Sequence, residues 1–308
     1  MEQQGEGRPL RLQVAGALRT FCCHRATLSR THHPNSLAAV DECAAAAAPR
    51  VEVDVRFLSD NGMLVFHDEA LDRETNGKGA VDVLERATAR TLRYRGDSSG
   101  LCFLEEVVDS LASSPATLQV DLKHMGAISA GRVAALAKVL EPLGERVLVG
   151  SQAHWNIRRL ADTGLPVAFD PTLHWHRRCN ETAPAVEGPR RMGIPGLWDD
   201  APLAHVPDVP FGEYVAARIE DLVAIAPAIE WMVDFRTILW LRSRGVLLGE
   251  LLAERGIALA AWTLVDDGPV RTTTLLESLF AAGVTVVITE YAAEIASYAH
   301  HLALQPSH

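Results

Sequence analysis

The chain has 308 residues, of which 48% are hydrophobic, so it can bury one barrel-sized core or two smaller ones. Its 29 Lys and Arg residues against 39 Asp and Glu residues give a formal net charge of −10 without a basic run, which makes nucleic acid and anionic membranes poor candidate partners. No segment approaches the roughly 18 to 20 uninterrupted apolar residues of a transmembrane helix, and the N-terminus lacks the charged-then-apolar order of a signal peptide.

The cysteine pattern favours a reducing compartment. The five cysteines form an odd-numbered set with neither metal-ligand spacing nor a redox Cys-x-x-Cys: Cys22, Cys23, Cys43, Cys102 and Cys179. We therefore expect buried free thiols in a cytoplasmic protein.

Strand and helix signals alternate along most of the chain. Strands are predicted at residues 18–23, 51–57, 118–123, 146–151, 166–170, 229–233, 257–263 and 284–289. Helices are predicted at residues 37–48, 101–113, 129–140, 154–163, 213–225, 237–255, 270–282 and 291–304. Alternating strand and helix units predict a parallel sheet, and eight such units in about 250 residues or slightly more predict an α/β fold of the TIM (β/α)8 barrel type.

The alternative to a barrel is an open, doubly wound sheet. No Gly-x-Gly-x-x-Gly follows the first predicted strand, which weakens that alternative. We expect a single barrel domain over residues 1–308, with a long connection between the fifth and sixth strands at residues 171–228.

Two acids and a histidine are gathered in the stretch from residue 51 to residue 79. Glu52 and Asp54 alternate with valines on a predicted strand, so both carboxylates point to the same face. A turn signal at 59–62 returns the chain to His67. Paired carboxylates suit a divalent cation such as Mg²⁺ or Ca²⁺, and a nearby imidazole can move protons. The alternative is a half-exposed edge strand with an ordinary surface histidine.

The barrel interpretation requires the chemistry to lie at the C-terminal ends of the strands. The charged or titratable groups on the first three predicted strands or at their ends are His24, Arg25, Glu52, Asp54, Asp121 and Lys123. Three converging carboxylates would repel one another and be costly to desolvate unless a cation joined them. This convergence favours the metal site over the edge-strand interpretation.

These residues resemble the motifs of the glycerophosphodiester phosphodiesterase family, whose fold is a TIM barrel. The matching motifs are His24-Arg25-Ala26 for His-Arg-Gly, Asn35-Ser36 for the end of Pro-Glu-Asn-Thr, Glu52-Val53-Asp54-Val55 for Glu-x-Asp-Val, His67-Asp68 for His-Asp, the run LDRETNG at 71–77 for Leu-x-Arg-x-Thr-Asn-Gly, Asp121-Leu122-Lys123 for Glu-x-Lys, and Trp262-Thr263 for Trp-Thr. The likeness follows the order of the chain and is most specific between residues 24 and 123.

The resemblance implies a role for each matching residue. The implied roles are Glu52, Asp54 and Asp121 as ligands of one Mg²⁺ or Ca²⁺ ion, His24 and His67 as general acid and base, and Arg25, Lys123 and Trp262 as substrate contacts. It further implies hydrolysis of glycerophosphodiesters to glycerol 3-phosphate and an alcohol through a cyclic phosphate. Which histidine acts first stays open. Lys123 as a cap of the barrel rim and Trp262 as a pocket wall are the structural alternatives.

Two departures from the family pattern leave the substrate open: Ala26 replaces a glycine, and Val265 replaces an asparagine. A third, Asp121 in place of a glutamate, implies a looser hold on the metal and resembles the spider-venom sphingomyelinases, in which this ligand is also an aspartate. The alternative functions are a phospholipase-D-like lyase on lysophospholipids that stops at a cyclic phosphate, and an inactive barrel that binds phosphate esters.

The connection at residues 171–228 leaves the C-terminal face of the predicted barrel. Loops longer than about 12 to 15 residues are usually functional or disordered. The first part combines aromatic and cationic residues with an apolar segment between Gly and Pro turn residues. We hypothesise that residues 171–200 form a lid that contacts the leaving alcohol; the alternative is a surface excursion that contains the helix at 213–225.

Overall fold

The computed structural model describes residues 9–14, 16–97, 99–173 and 210–303. In these ranges the strands β1 to β10 are Arg11–Val14, Ala17–Cys23, Arg50–Phe57, Met63–Val65, Thr117–Leu122, Val147–Ser151, Val167–Phe169, Glu230–Asp234, Ala258–Leu264 and Val286–Thr289. The helices α1 to α10 are Leu37–Ala45, Arg86–Ala89, Leu104–Leu111, Ala130–Leu140, His154–Ala161, Phe211–Ile225, Phe235–Ser243, Leu248–Ala253, Pro269–Ala281 and Ala292–Ala303.

Eight parallel strands close into a barrel in the order β2, β3, β5, β6, β7, β8, β9 and β10. The ring closes on the two sides of β2, where Thr20 pairs with Val286 of β10 and Cys23 pairs with Val51 of β3. Each of these eight barrel strands therefore has a neighbour on both sides. The open-sheet alternative is wrong, and the predicted TIM barrel is confirmed.

Strand β3 divides its side chains between two layers. Its valines are fully buried in the main core, which also contains the residues of the surrounding helices. Glu52 and Asp54 alternate with these valines and point to the opposite side, into the barrel. On the neighbouring strand β5, Gln119 pairs with Glu52 and Asp121 pairs with Asp54. The register thus places the acids of two strands side by side, as the sequence predicts.

A buried ion pair and a small apolar cluster occupy the barrel interior. The cluster consists of Cys22, Leu148, Ala168, Met232, Ala260, Val286 and Ile288. Arg50 donates to the two carboxylate oxygens of Glu230 at 2.9 and 2.6 Å and to Gln119 Oε1 at 2.9 Å. These well-aligned partners allow the charge of Arg50 to be buried. The network also links β3, β5 and β8 near the start of β3.

Strand β1 is absent from the sequence prediction. It pairs antiparallel with β2 through a turn that contains Gly16, whose φ of +76° suits glycine. Leu12 and Val14 are buried and alternate with the exposed Arg11 and Gln13. That alternation is the signal of a strand, and it could have been read from the sequence.

The predicted single helix at residues 237–255 is wrong. The chain forms α7 and α8 instead, and α7 ends before Gly245, which has a φ of +79°. Glycine is favoured after a helix end because it enters the left-handed region without a steric penalty. The predicted helix at 37–48 also ends early, at Ala45, since Ala47 adopts a φ of +49° two residues before Pro49.

Several other sequence predictions can be compared with the described residues. The lid hypothesis concerns a segment that lies outside them from residue 174 onward, as does Cys179. The remaining cysteines are buried free thiols, as predicted: Cys22, Cys23, Cys43 and Cys102. The helix predicted at 213–225 is confirmed as α6. None of the helices in the described ranges combines the length and apolar character that crossing a membrane requires.

Helix α8 packs backbone to backbone against the turn before β10. A Cβ on Gly249 would lie 2.5 Å from Gly283 Cα and 2.6 Å from the Ala282 carbonyl oxygen. We expect Gly249→Ala to lower the free energy of unfolding by about 1–3 kcal/mol, because overpacking forces the backbone to shift. The control is Gly131→Ala in α4, where the nearest atom would be 3.9 Å away and alanine favours the helix. Urea unfolding measures both, and equal stabilities would contradict this packing argument.

Candidate functional site

Three carboxylates meet inside the C-terminal half of the barrel. Glu52 and Asp54 of β3 and Asp121 of β5 each present one oxygen, and these oxygens lie within 4.8 Å of one another. Glu52 is 1% exposed and Asp54 is 0% exposed, whereas the Asp121 side chain is 25% exposed at the mouth. The predicted convergence of the three acids is therefore present in the fold.

Asp54 is a fully buried anion that lies beside two cationic side chains and an amide. Arg25 Nε lies 3.2 Å from its Oδ2, and Lys123 Nζ lies 3.1 Å from its Oδ1. Burial alone would raise the pKa of Asp54, but Lys123 and Arg25 outweigh burial and lower it to about 2. Asn35 donates from Nδ2 to Oδ2 at 2.7 Å and accepts from the Asp54 amide at 3.1 Å. Asp54 is thus held ionised and fixed on two sides.

Glu52 has the opposite electrostatic surroundings. Burial and the charge of Asp54 raise the pKa of Glu52 to about 7. Its Oε2 accepts a hydrogen bond from the Arg25 amide at 2.7 Å, whereas its Oε1 is buried and accepts none from the described residues. A buried oxygen without a donor is costly. Together with two further carboxylates, this unused oxygen fits a hard divalent cation such as Mg²⁺ or Ca²⁺.

The turn after β2 brings a histidine and an arginine to the acids. The turn comprises residues 24–26, in which Arg25 and Ala26 have φ values of +52° and +56°. A residue with a side chain costs about 1–2 kcal/mol in this left-handed region. The glycine of the family motif would avoid this cost at position 26. The fully buried Ala26 Cβ packs in the main core, which offsets part of that cost.

His24 lies between two carboxylates. Its Nδ1 is 3.2 Å from Glu290 Oε1, and its Nε2 is 3.8 Å from Glu52 Oε2. Burial alone would lower the pKa of His24, but Glu52 and the hydrogen bond with Glu290 outweigh it, and the pKa is raised. Glu290 follows β10, and the sequence analysis did not assign it a role in the site.

His67 approaches the same cavity from the loop after β4. Its Nδ1 lies 2.8 Å from Asp68 Oδ1, and its carbonyl oxygen accepts a hydrogen bond from Arg56 Nε at 2.8 Å. His24 and His67 thus each have a carboxylate beside Nδ1, which leaves Nε2 as the ring nitrogen available for proton transfer.

On the β5 side of the cavity, Lys123 Nζ lies 2.7 Å from Asp121 Oδ2.

One cavity of about 270 Å³ joins these groups. Seven of the eight residues predicted for the site line it: His24, Arg25, Glu52, His67, Asp121, Lys123 and Trp262. The eighth, Asp54, lies buried behind Arg25 and Lys123. The fold thus brings all of the predicted residues into one place.

Within the described ranges, six further residues that are not among the predicted site residues line the cavity. The additional lining residues are Gln119, Gln152, Asp170, Met232, Thr263 and Ile288. Asp170 comes directly after β7 and accepts hydrogen bonds from Gln152 Nε2 at 3.0 Å and from the Thr172 amide at 2.9 Å. Its place at the C-terminal end of a predicted strand was the available signal.

Asp170 gives a prediction for the dependence of stability on pH. Burial raises the pKa of Asp170 to about 6, above its ordinary value of 3.8. As the pH rises from about 4 to 6, the unfolded chain loses this proton first, so the folded state is progressively disfavoured, by about 3 kcal/mol in total. Asp170→Asn should remove this loss, and urea unfolding of both proteins at pH 4 and pH 7 tests it. The exposed Asp162→Asn is the control; identical pH slopes for all three proteins would contradict the prediction.

Comparison with known proteins identifies relatives by sequence. Residues 24–170 match the Glycerophosphoryl diester phosphodiesterase family. A curated relative, the glycerophosphodiester phosphodiesterase of Caldanaerobacter subterraneus subsp. tengcongensis, is 25% identical over 134 residues, which are 40% of this chain and 54% of the relative. The chain thus spans about half the length of this curated relative.

Comparison of structures identifies solved phosphodiesterases with the same barrel fold. A putative glycerophosphoryl diester phosphodiesterase from Agrobacterium tumefaciens has a TM-score of 0.64 at 19% identity, over 92% of this chain and 98% of that chain. A phosphodiesterase from Oleispira antarctica, solved with the product sn-glycerol-3-phosphate, has a TM-score of 0.61 at 17% identity, over 91% and 96%. At these identities the likeness establishes the fold. The sequence match over residues 24–170 confirms the predicted resemblance to the glycerophosphoryl diester phosphodiesterase family.

Proposed function

We propose that the chain is a phosphoric diester hydrolase that converts glycerophosphodiesters to glycerol 3-phosphate and an alcohol, and that residues 1–308 act as one barrel domain. The observation that carries the proposal is that two histidines, an acidic cluster and the side chains of Arg25 and Lys123 meet at one cavity. The family match over residues 24–170 and the product named for the Oleispira antarctica structure support it.

The described walls of the cavity favour a polar substrate. Among the lining residues in the described ranges, Met232, Trp262 and Ile288 are apolar and the others are polar or charged. A lysophospholipid would require an apolar cleft for its acyl chain, whereas a glycerophosphodiester presents hydroxyl and phosphate oxygens. Trp262 forms an apolar part of the wall beside the reacting groups, where it contacts the substrate.

A divalent cation held by Glu52, Asp54 and Asp121 would stabilise charge on a phosphate oxygen and lower the pKa of the neighbouring glycerol hydroxyl. Arg25 and Lys123 bind the phosphate beside this position. Their charge-assisted hydrogen bonds strengthen as charge accumulates on the phosphate oxygens in the transition state. Arg25 and Lys123 each form an ion pair with Asp54, which holds both side chains beside the acidic cluster.

The two histidines transfer the protons at Nε2. One accepts the proton of the glycerol hydroxyl that attacks phosphorus, and the other donates a proton to the departing alcohol. Water then opens the resulting cyclic phosphate with the two roles exchanged, which releases glycerol 3-phosphate. Glu290 and Asp68 support these steps by occupying Nδ1 of His24 and His67, respectively.

Release of glycerol 3-phosphate tests the activity directly. The purified chain is incubated with Mg²⁺ or Ca²⁺ and a panel of glycerophosphodiesters, with and without excess chelator. We expect product that depends on the metal, because the ion would lower the pKa of the attacking glycerol hydroxyl. Glu52→Gln should weaken metal binding, measured by titration calorimetry, whereas Glu277→Gln on the exposed face of α9 should not. Full turnover in excess chelator would exclude the metal from the proposed mechanism.

Each histidine should be needed for the chemical step. Proton transfer by a positioned side chain contributes about 10²–10⁴-fold to the rate, so His24→Ala and His67→Ala should each lower kcat by at least that order. His301→Ala in the exposed last turn of α10 is the matched control and should keep wild-type kcat. A His24 or His67 variant with near wild-type kcat would remove that residue from the mechanism.

A further inference from the structure

The loop that carries His67 is fixed by a small core of its own. This satellite core lies beside the barrel and consists of Leu58, Leu64, Phe66, Leu71, Val81, Ala89, Tyr94, Leu101 and Phe103. Phe66 directly precedes His67, and Leu71 begins the run at residues 71–77. Both are at most 1% exposed, so the backbone on each side of the His67–Asp68 pair is anchored.

The run at 71–77 folds into a hydrogen-bonded turn. Thr75 is fully buried and donates from Oγ1 to the Leu71 carbonyl oxygen at 2.9 Å. The Gly77 amide donates to Thr75 Oγ1 at 3.0 Å, and a Cβ at Gly77 would lie 2.9 Å from Leu71 Cδ1. The turn therefore has little room to rearrange, and Arg73 projects from a fixed position.

Arg73 holds Asp68 in a two-pronged ion pair. Its Nε lies 2.7 Å from Asp68 Oδ2, and its Nη2 lies 2.8 Å from Oδ1. The same Oδ1 lies 2.8 Å from His67 Nδ1. A guanidinium that binds both carboxylate oxygens fixes the plane of the carboxylate as well as its position. The hydrogen bonds from Arg73 and then from His67 hold the pKa of Asp68 well below its usual range, so Asp68 is an anion throughout the neutral range.

We propose that Asp68 is the positioning residue for His67, and that Arg73 acts through Asp68. Asp68 accepts the Nδ1 hydrogen of His67, which leaves Nε2 unprotonated toward the cavity and stabilises the imidazolium that forms when Nε2 takes a proton. Arg73 keeps the carboxylate in the orientation that this hydrogen bond needs. The proposal rests on the proposed catalytic role of His67, and it gives the run at 71–77 a function.

Kinetics separate a positioning role from a role in binding. Asp68→Asn should lower kcat about 10- to 100-fold, a part of the 10²–10⁴-fold that a whole proton-transfer group contributes, and leave KM within about twofold. Arg73→Gln should lower kcat by a smaller factor, and the double variant should be no slower than Asp68→Asn, because the two residues act as one unit. The control is Asp267→Asn, from the exposed Asp267–Arg271 pair at 3.0 Å, which should keep wild-type kinetics.

The protonated ring nitrogen of His67 provides a readout that is independent of activity. Nitrogen-15 NMR of the 308-residue chain labelled at histidine reports which ring nitrogen carries the hydrogen, and the His67→Gln variant assigns the signal. We expect the Nδ1–H tautomer in the wild type and a mixture of tautomers in Asp68→Asn. A wild-type His67 protonated on Nε2, or an Asp68→Asn variant that keeps both the Nδ1–H tautomer and wild-type kcat, would overturn the proposal.

The activity of the chain and the positioning role of Asp68 can be refuted separately. A wild-type chain that releases no glycerol 3-phosphate would refute the activity, while the NMR signal would still test the hydrogen bond from His67 to Asp68. An active enzyme whose His67 is indifferent to Asp68→Asn would refute the positioning role alone.

Discussion

The electrostatic cost of three carboxylates inside one barrel determines the arrangement of the site. Asp54 is fully buried, and an isolated buried anion is too costly to persist without partners. Arg25, Lys123 and Asn35 supply those partners from three different segments of the chain. The turn after β2, the loop before α1 and the end of β5 are therefore held together by a single side chain.

The same constraint explains why acidic and basic groups occur in close pairs. Asp54 is kept ionised by Lys123 and Arg25, whereas burial and the neighbouring Asp54 raise the pKa of Glu52 to about 7. A cation between them would favour the ionised form of both. Arg25 contributes twice, since its backbone amide binds Glu52 and its side chain contacts Asp54. This double contact accounts for the left-handed conformation of Arg25 at the end of the first barrel strand.

The sequence predicted the parts of the molecule that follow from local periodicity. The alternation in β3 predicted that Glu52 and Asp54 lie on one face. The location of barrel active sites at the C-terminal ends of the strands predicted that Asp121 lies near them. The sequence did not predict Glu290 beside His24, because that contact depends on how β10 closes the ring against β2. Asp170 was also not assigned to the site, although its place at the end of a predicted strand was a signal. The prediction of a single helix at 237–255 was wrong for a local reason. The chain breaks at Gly245, which has a positive φ, and hydrophobic periodicity contains no information on φ.

We propose that the carboxylates of Glu52, Asp54 and Asp121 form one divalent-cation site inside the C-terminal half of the barrel. A crystal structure with Mn²⁺ tests this proposal, because the anomalous scattering of the ion shows its position without any assumption about its ligands. We expect one anomalous peak about 2.0–2.6 Å from oxygens of all three carboxylates. Absence of a peak there at saturating Mn²⁺, with Lys123 Nζ still between Asp54 and Asp121, would contradict it.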